Sequence, residues 1–527
     1  MDENGSEKKI SLVILSLCLI GIVAIGISYA WWRFTAIQDK TNVGISKCFK
    51  LELSNESDAI NLTNTYPITD EEGRKLNPYT FTLTNTCALS AEYKLNMEML
   101  EGTTLNSKYV AVMINNGNIN LLSSYDTATT VIDGSTESRI LDTGILGPNG
   151  SKNYSVSLWM DKSVTLEDDV QNKVFKSKIV VNAEATDKEP LKDKIGELAQ
   201  SDTVNLATDD ADNNVRYIGK DPSNYVYFNC NDYNNPTADT CELWRIIGVF
   251  NNVTKSDGSK ENLIKIIRND SLGKFSWDYK KTGVGTSTSD YGSNDWTDSQ
   301  LMMMLNPIDY LKSGYTNAND IISYNNQEIY SKMGSYYNGT KGCAPASTAS
   351  GSTFTCNETD FTQTGLKNDT TRNAIESVVW NLGGTDAPNT LTASMFYTIE
   401  RGTTLYTGRP TTWTGKIGLM YPSDYGYATS GGTTKDRAAC LAKKLYDWYS
   451  DDFSDCKDND YLSDSWQWTM TLALVDVDLV HYVHPDGNVY DNNAYRTDAV
   501  RPALFLKSSI FVDKGAGTST DPYQLKL

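Results

Sequence analysis

Short segments of alternating apolar and polar residues occupy the chain between about residues 45 and 185. The clearest are Phe49–Leu53, Tyr79–Thr84, Tyr93–Glu98, Tyr154–Trp159 and Lys178–Ala185. A period of two, interrupted by Asn, Asp, Gly and Pro, is typical of strands that bury one face of an antiparallel sheet. We therefore expect an antiparallel β-sandwich over residues 45–187.

The first part of the chain has an unbroken apolar pattern instead. Two lysines precede an uncharged run, Ile10–Ala30, and two tryptophans and Arg33 follow it. A helix of about 20 apolar residues crosses the hydrocarbon core of a bilayer, and tryptophans favour the boundary of that core. This predicts a cytoplasmic N-terminus at 1–9, a transmembrane helix at 10–32, and a single-pass protein of the cell membrane with an extracellular bulk. A cleaved signal peptide is the alternative, because Ser28–Ala30 resembles a cleavage site, and it would also export the chain.

The rest of the chain mixes strand and helix patterns. A charged stretch at 188–200 predicts a linker with a short helix from Leu191 to Ala199, followed by a second globular domain at 201–527. The predicted strands of that domain include Tyr225–Phe228, Leu243–Phe250 and Leu263–Ile267, and the predicted helices are Thr297–Leu305 and Asp369–Asn381. The expected fold class is therefore mainly β, with an α+β C-terminal domain.

Two parts of the chain resemble known families of bacterial surface proteins. The apolar run, the predicted sandwich and its closing strand Lys178–Ala185 resemble the camelysin and TasA-type surface proteins of Gram-positive bacteria. The segments Leu243–Gly248, Ile417–Ala428 and Val500–Lys507 resemble a family of surface-protein domains from Firmicutes. The layout of that family is similar to the C-type-lectin-like fold of formylglycine-generating enzymes and of variable proteins of diversity-generating retroelements. The resemblance implies a C-type-lectin-like binding domain at 201–527.

The net charge limits the classes of partner that we expect, and the cysteine content indicates the cellular compartment. The formal net charge is −19, from 47 basic and 66 acidic residues, so nucleic acid is not an expected partner. Apart from Cys18 in the apolar run, the cysteines are even in number, which suits disulfides in an oxidising space. Pairing of sequence neighbours predicts the bonds Cys48 with Cys87, Cys230 with Cys241, Cys343 with Cys356 and Cys440 with Cys456.

The most distinctive stretch of the chain is 471–506. It lacks Lys, Glu, Gln, Met and Trp, and it holds both histidines of the chain, His481 and His484. Within it, Tyr482–Tyr490 contains Pro-Asp-Gly, which predicts a β-hairpin. The composition fits mutagenic retrohoming, in which template adenines become any base, because Asn codons altered in this way cannot encode the five missing residues.

Such a stretch on a rigid scaffold would form an adaptable contact surface, as in an antibody paratope. The candidate ligand-binding residues are Leu474, Asp476, Asp478, His481, His484, Tyr490, Asp491, Tyr495 and Arg496. The alternatives are a binding surface that is not diversified and an ordinary hairpin-rich stretch whose composition arose by chance. The expected ligand is a protein or glycan on another cell, a host surface or a phage.

Two arrangements raise the question of a bound metal. His481 and His484 lie three apart on a predicted strand, so they point to opposite faces and cannot easily share an ion. Asp210, Asp212 and Asn214 have the spacing that opens a calcium loop, but the turn Gly and the distant Glu of the full motif are missing. We therefore predict no metal and no cofactor, with turn chemistry at the second arrangement and calcium as its alternative.

Four tryptophans are predicted to fill the core of the second domain rather than to line a binding face. They are Trp244, Trp277, Trp466 and Trp468. A buried tryptophan removes roughly 150–250 Å² from water, which favours the interior for these side chains.

Catalytic motifs are missing, so an enzyme is not predicted. The sequence contains no G-x-S-x-G, HExxH or phosphate-loop motif. A cell-surface ligand-binding or adhesion protein is the favoured function. One alternative is a structural subunit of a surface fibre or pilus that polymerises by strand donation. The other is an enzyme of the formylglycine-generating type, although the spacing of its nearest candidates, Cys440 and Cys456, favours a structural bridge.

Overall fold

The structure is a computed structural model in which the chain forms two compact units, divided between Glu189 and Pro190. It describes residues 49–52, 66–278, 292–307, 334–344 and 357–527, and the backbone of 323–324 and 327–328, except for short gaps at 87–88, 131–132, 166, 187, 432–435, 450–453, 459 and 463–464. The predicted transmembrane helix at 10–32 lies outside these residues. Within them, no helix is both long enough and apolar enough to cross a membrane.

The described part of the first unit consists of two antiparallel sheets. Its strands are β1 (Phe49–Glu52), β2 (Tyr79–Asn85), β3 (Ser90–Leu100), β4 (Val110–Ile114), β5 (Ile119–Leu121), β6 (Ser135–Leu146), β7 (Ser151–Met160) and β8 (Ser177–Thr186), and its helix is α1 (Asp70–Gly73). One sheet has the order β1-β2-β7-β4-β5 and the other has the order β6-β3-β8. The five strands predicted in this region are confirmed to within a few residues.

The two sheets of the first unit enclose a common apolar core. Along β2 burial alternates, so that Phe81 and Leu83 are fully buried while Thr82 between them is half-buried. These side chains share a cluster with Leu95 of β3 and Val181 of β8, which belong to the other sheet. Each fully buried apolar side chain contributes about 1.5–3 kcal/mol to stability. The predicted sandwich-like packing is therefore present.

The second unit combines many short strands with short helices. Its strands are β9 (Leu206–Ala207), β10 (Val215–Tyr217), β11 (Tyr225–Phe228), β12 (Glu242–Thr254), β13 (Lys260–Arg268), β14 (Lys274–Ser276), β15 (Ser323–Tyr324), β16 (Gln327–Glu328), β17 (Lys341–Ala344), β18 (Asn357–Asp360), β19 (Val378–Asn381), β20 (Thr412–Gly415), β21 (Ile417–Gly418), β22 (Gln467–Leu472), β23 (Leu479–Val483), β24 (Val489–Asn493), β25 (Thr497–Ala499), β26 (Ala503–Leu506), β27 (Phe511–Lys514) and β28 (Tyr523–Lys526). Its helices are α2 (Leu191–Leu198), α3 (Gln300–Leu305), α4 (Asp369–Ala374), α5 (Ala393–Glu400), α6 (Pro422–Ala428), α7 (Arg437–Leu441) and α8 (Ser454–Asp458).

Two sheets organise the second unit. The larger one has the order β21-β26-β13-β12-β11-β28-β27, and β10 and β9 continue from β12. The smaller one has the order β14-β25-β22-β23-β24. Consecutive apolar residues such as Ile246 and Ile247 are both buried in β12, so this strand is covered on both faces. Trp244 of β12 and Trp468 of β22 belong to one apolar core.

The short helix predicted from Leu191 to Ala199 in the segment 188–200 is confirmed as α2, and its Leu191 and Ile195 are buried in the core of the second unit. One predicted element differs from the structure. The helix predicted over Asp369–Asn381 ends at Ala374 as α4, and the following residues form β19, which pairs with β20. Pairing with a neighbouring strand overrides the helical pattern there, because β-branched valines fit a pleated strand well.

The helix predicted over Thr297–Leu305 is confirmed in its greater part as α3. A short 3-10 turn, Trp296–Asp298, precedes it. The Ser299 hydroxyl accepts a hydrogen bond from the Met302 amide at 3.1 Å and so caps the first turn of α3.

Two of the four predicted disulfides are confirmed. The bonded pairs are Cys230 with Cys241 and Cys440 with Cys456. The predicted pairs Cys48 with Cys87 and Cys343 with Cys356 involve side chains outside the described part of the structure.

Three of the four tryptophans predicted for the core are buried, and the fourth is not. Trp244, Trp277 and Trp468 are fully buried, whereas Trp466 is 38% exposed. The prediction for Trp466 is wrong because this residue precedes β22 and stacks at the surface on Tyr482, with 5.5 Å between the ring centroids.

Candidate ligand-binding surface

The predicted hairpin is confirmed and forms one side of the smaller sheet. β23 and β24 pair antiparallel, with Tyr482 opposite Tyr490 and His481 opposite Asp491. β22 pairs with the other edge of β23, so that β24 is the outermost strand of this sheet among the described residues. An outermost strand leaves backbone groups and alternate side chains open to contact. The hairpin is therefore placed where a ligand could reach it.

A glycine and a histidine hold the turn between β23 and β24. Gly487 has a φ of +95°, a conformation that strains any residue with a Cβ atom. Its amide donates to the His484 carbonyl at 2.8 Å, and its carbonyl accepts from the Tyr425 hydroxyl at 2.7 Å. The Asp486 amide donates to Nδ1 of His484 at 3.0 Å. These contacts fix the turn that Pro-Asp-Gly predicts.

A buried asparagine and an arginine fix the connection from β22 to β23. The side-chain amide of Asn294 donates to three backbone carbonyls within 473–479, at 2.8 to 3.0 Å. The Asn294 side-chain oxygen accepts from Arg409, whose Nη2 also donates to the Val477 carbonyl at 3.3 Å. The sequence analysis did not single out Asn294 or Arg409, because only the fold brings them beside this connection.

The nine predicted ligand-binding residues differ in exposure. Three are exposed, namely Asp476, Tyr490 and Arg496; four are half-buried, namely Leu474, His484, Asp491 and Tyr495; and two are buried, namely Asp478 and His481. All nine lie on the hairpin or on the two connections that flank it. We call the seven exposed and half-buried residues the hairpin surface.

His481 points into the core. Its side chain is fully buried, and its ring meets that of Phe396 edge-on with 5.5 Å between the centroids. Burial, opposed only by a backbone contact of Tyr490, lowers the pKa of the imidazole to about 4, so the ring is neutral at pH 7. Alternation alone does not reveal this placement, because β23 is buried along both faces.

Asp478 is also buried and connects the two ends of the hairpin. Its carboxylate accepts from the Asn493 side chain at 2.9 Å, and its carbonyl accepts from the Ala494 amide at 2.7 Å. Burial raises the pKa of this carboxyl group above its ordinary value. In this arrangement Asp478 and His481 support the hairpin from within, and a direct role in ligand contact stays a prediction.

Three aromatic side chains that the sequence analysis did not assign to the site flank the hairpin surface. Tyr446 lies 5.6 Å from Tyr490 and 5.7 Å from Tyr449 between ring centroids, and Tyr449 is 52% exposed. Trp466 packs 4.1 Å from the ring of His484. Tyr and Trp provide large contact areas at low entropic cost, so they extend the surface available for binding. Their separation from the hairpin along the chain leaves no local sequence signal.

A buried charge cluster occupies another part of the second unit. We define it as Arg216, Asp210, Asp424 and Lys265. Arg216 donates from Nε to Asp210 at 2.6 Å and from Nη1 to Asp424 at 2.9 Å, and Lys265 donates to the other oxygen of Asp424 at 2.5 Å. Although burial acts to raise it, Lys265 and Arg216 lower the pKa of Asp424 to about 2. Buried charges require such pairing, because each loses its hydration.

The segment with calcium-loop spacing forms a turn that belongs to this cluster. Oδ1 of Asp210 accepts from the amides of Asp212 and Asn214 at 3.2 and 2.8 Å. Oδ2 accepts from the Asn214 side chain at 2.9 Å as well as from Arg216. Protein donors therefore occupy the oxygens of Asp210, which supports the predicted turn chemistry. Over the described residues, no group of three His, Cys, Asp or Glu side chains could hold a metal ion.

Glu400 is a buried carboxyl group beside the charge cluster. It accepts from the amide of Ser423, the residue before Asp424, at 2.9 Å. Burial, opposed by Arg401, raises the pKa of Glu400 to about 7. Such pKa values are common among acid–base catalysts. Glu400 is nevertheless fully buried, so a substrate could reach it only if the unit opened.

Cys440 and Cys456, the candidate redox pair, form a disulfide. The bridge joins α7 to α8, as expected for the structural role predicted for this pair. The chain matches no protein-family model and no curated protein sequence. Its function must therefore be argued from geometry, and exposed aromatic and charged side chains on a fixed backbone suit binding.

Proposed function

We propose that the protein is a membrane-anchored binding protein of the cell surface that recognises its ligand through the hairpin surface. The observation that carries the proposal is the combination of exposed side chains with a backbone held by Asn294, Arg409 and Gly487. A pre-organised backbone lowers the entropic cost of association. Exposed Tyr, Arg and Asp side chains then supply adaptable contacts.

The arrangement of the whole chain supports this proposal. The apolar run at 10–32 would anchor the protein, the first unit would serve as a stalk, and the second unit would be the C-type-lectin-like binding domain that the resemblance implies. Two disulfides in the second unit favour an oxidising compartment. The ligand would be a protein or glycan on another cell, a host surface or a phage.

The proposal also includes diversification of residues 471–506 by a retroelement. Changes on the hairpin surface alter exposed or half-buried side chains, so they can change binding while the core stays intact. Changes at Asp478 or His481 would instead leave buried groups without partners or open a cavity. We therefore expect variation among copies of this gene to concentrate on the hairpin surface. Uniform variation at exposed and buried positions would contradict this part.

Array binding by the full-length protein in detergent tests the proposal. The parent is compared with a Tyr490→Ala, Arg496→Ala double variant and with Tyr66→Ala, a control whose side chain is 85% exposed in the first unit. On glycan and protein arrays we expect binding to fall at least roughly tenfold for the double variant, and to stay at the parent level for the control. Equal binding by all three proteins, or no ligand bound by the parent, would contradict the proposal.

A further inference from the structure

Three consecutive residues of α6 each contact a different part of the second unit. They are Ser423, Asp424 and Tyr425, and all three are at most 1% exposed. Ser423 contacts Glu400, Asp424 belongs to the charge cluster, and Tyr425 contacts the hairpin turn. Because the three residues are adjacent on one short helix in a close-packed interior, a displacement at one contact moves the other two. Helix α6 therefore connects the charge cluster to the hairpin turn.

Tyr425 supports the hairpin at two places. Its hydroxyl donates to the Gly487 carbonyl at 2.7 Å. Its ring also packs against that of Trp448, with 5.2 Å between the centroids. Trp448 belongs to the 3-10 turn Leu445–Tyr449, which carries the two tyrosines that flank the hairpin surface. A shift of Tyr425 would therefore alter both the hairpin turn and its aromatic flank.

The other end of the connection is the contact between α6 and Glu400, the last residue of α5. The Ser423 amide donates to Oε1 of Glu400 at 2.9 Å, and the Ser423 hydroxyl contacts Oε2. The two helices approach closely, since a Cβ atom at Gly426 would lie 2.6 Å from Cβ of Ala393. Contacts as close as these leave no space in which a change at Glu400 could be absorbed.

Charged and titratable groups from three elements face the Glu400 carboxyl group. Arg401 follows it in the chain and donates from Nη1 to Oε2 at 3.4 Å. Tyr421 precedes α6, Asp424 lies on α6, and Lys265 of β13 pairs with Asp424 at 2.5 Å. An ionised Glu400 would repel Asp424 and compete with it for Lys265, because water screens charges poorly in a buried site. Loss of the proton from Glu400 would thus loosen the contacts that hold α6.

We propose that α6 regulates the hairpin surface, because loss of the proton from Glu400 shifts α6 and weakens the Tyr425–Gly487 hydrogen bond that holds the turn. A ligand that requires the ordered turn then favours protonated Glu400, so its affinity falls as the pH rises. Glu400 itself touches no ligand. This inference rests on the proposed function, for which it supplies a mechanism of regulation.

Hydrogen exchange of the unliganded full-length protein tests the effect on the turn. The amides of His484 and Gly487 both donate within the turn, and mass spectrometry of the peptide that contains them gives a protection factor, corrected for the intrinsic effect of pH on exchange. The pKa of Glu400 is about 7 in the folded protein against an ordinary 4.5. We therefore expect protection of the turn to fall by up to roughly tenfold between pH 6 and pH 8.

Two conservative variants and a matched control assign that change to α6. Glu400→Gln leaves His484 and the rest of the turn unchanged, and it should make the protection independent of pH over this range. Tyr425→Phe removes only the hydroxyl, so protection of the turn should fall roughly threefold to tenfold at both pH values. Tyr461→Phe removes another buried hydroxyl, which donates to the Ile246 carbonyl of β12 at 3.3 Å, and its turn should behave as in the parent.

Affinity for the array ligand at pH 6 and pH 8 is the second measurement. It should fall with rising pH in the parent and in Tyr461→Phe, but stay constant in Glu400→Gln. A role of Glu400 in stability alone would leave the affinity of the folded protein the same at both pH values. Tyr425→Phe should bind roughly threefold to tenfold more weakly than Tyr461→Phe at pH 6.

The outcomes separate this inference from the proposed function. Constant protection of the turn in the parent, or an equal pH dependence in Glu400→Gln, overturns the inference. Either result leaves the proposed function intact if the Tyr490→Ala, Arg496→Ala variant still loses the array ligand. If the parent binds no array ligand, the proposed function fails and the regulation of binding fails with it, while hydrogen exchange still shows whether α6 controls the turn.

Discussion

The buried charge cluster and the hairpin surface belong to the same unit but differ in the burial of their polar side chains. In the cluster, Arg216 is buried and pairs with Asp210, which is near it in the sequence, and with Asp424, which is remote from it. On the hairpin surface, Tyr490 and Arg496 are exposed and rest on a backbone that other residues hold. The comparison separates polar groups that stabilise the fold from polar groups that the fold leaves open to solvent.

Breaking the cluster should produce the largest effect. Arg216→Met leaves Asp210 and part of Asp424 buried without their cation, so we expect a loss of about 3–5 kcal/mol in the free energy of unfolding. Urea denaturation measures this loss. Lys260→Met, at an exposed lysine, should change stability by less than about 0.5 kcal/mol. A loss below about 1 kcal/mol for Arg216→Met would contradict the structural role of the cluster.

Acidic pH should weaken the hairpin through His481. Its pKa is about 4 in the folded protein and near 6.5 when exposed, so the unfolded state binds more protons between these values. Stability therefore falls as the pH drops from 6.5 to 4, by up to about 3 kcal/mol. His481→Phe removes this titration, and its unfolding free energy should depend less on pH over that range. Identical pH profiles for the parent and the variant would contradict the lowered pKa of His481.

Rising pH between about 4.5 and 7 should reduce stability through Glu400 beside the cluster. Its pKa is about 7 in the folded protein against an ordinary value of 4.5, so the folded state binds more protons between these values. Stability from this group is complete below pH 4.5 and is lost as the pH rises through 7, again by up to about 3 kcal/mol. Glu400→Gln should flatten that part of the profile in thermal melts. A slope unchanged by the substitution would refute this prediction.

Removal of the Cys440–Cys456 bridge should have an intermediate effect. Replacing both cysteines with serine releases a cross-link of sequence separation 16, and we expect a loss of about 2 kcal/mol in chemical denaturation. The corresponding change at Cys230 and Cys241, with separation 11, should cost slightly less. Unchanged stability of the first double variant would show that the bridge does not support this part of the unit.

The smallest effect on stability is expected on the hairpin surface itself. Tyr490→Ala removes a side chain that is 38% exposed, so the unfolding free energy should change by less than about 1 kcal/mol. Differential scanning calorimetry measures this change. A larger loss would mean that Tyr490 serves the fold, through its contact with Tyr446, more than it serves binding.

Local signals predicted a good part of the fold. The alternation along β2, the helical pattern of α3 and the Pro-Asp-Gly turn at Gly487 are confirmed, since each depends on residues close in sequence. The same reasoning failed at β19, where the chain pairs with β20 instead of continuing a helix. It also failed at Trp466, whose surroundings come from the partner strand β23.

The sequence predicted that the nine candidate residues belong to one hairpin region, but not which of their side chains are exposed. Composition pointed to 471–506, and the nine candidate residues do lie on one hairpin and its flanks. His481 and His484 look equivalent in the sequence, yet one is fully buried and the other is half-buried at the turn. Neither Tyr446 nor Arg409 could be associated with the site, because their neighbours in space are remote in the chain.

By itself, the sequence determined the strand pattern, the turn of the hairpin and the pairing of neighbouring cysteines in two disulfides. Only the tertiary structure decided which charges pair, since Asp424 meets Arg216 across 208 residues and Lys265 across 159. It also decided that β23 is buried along both faces. The physical reason is range: backbone conformation responds to adjacent residues, whereas burial and ion pairing depend on segments that only the folded chain brings together.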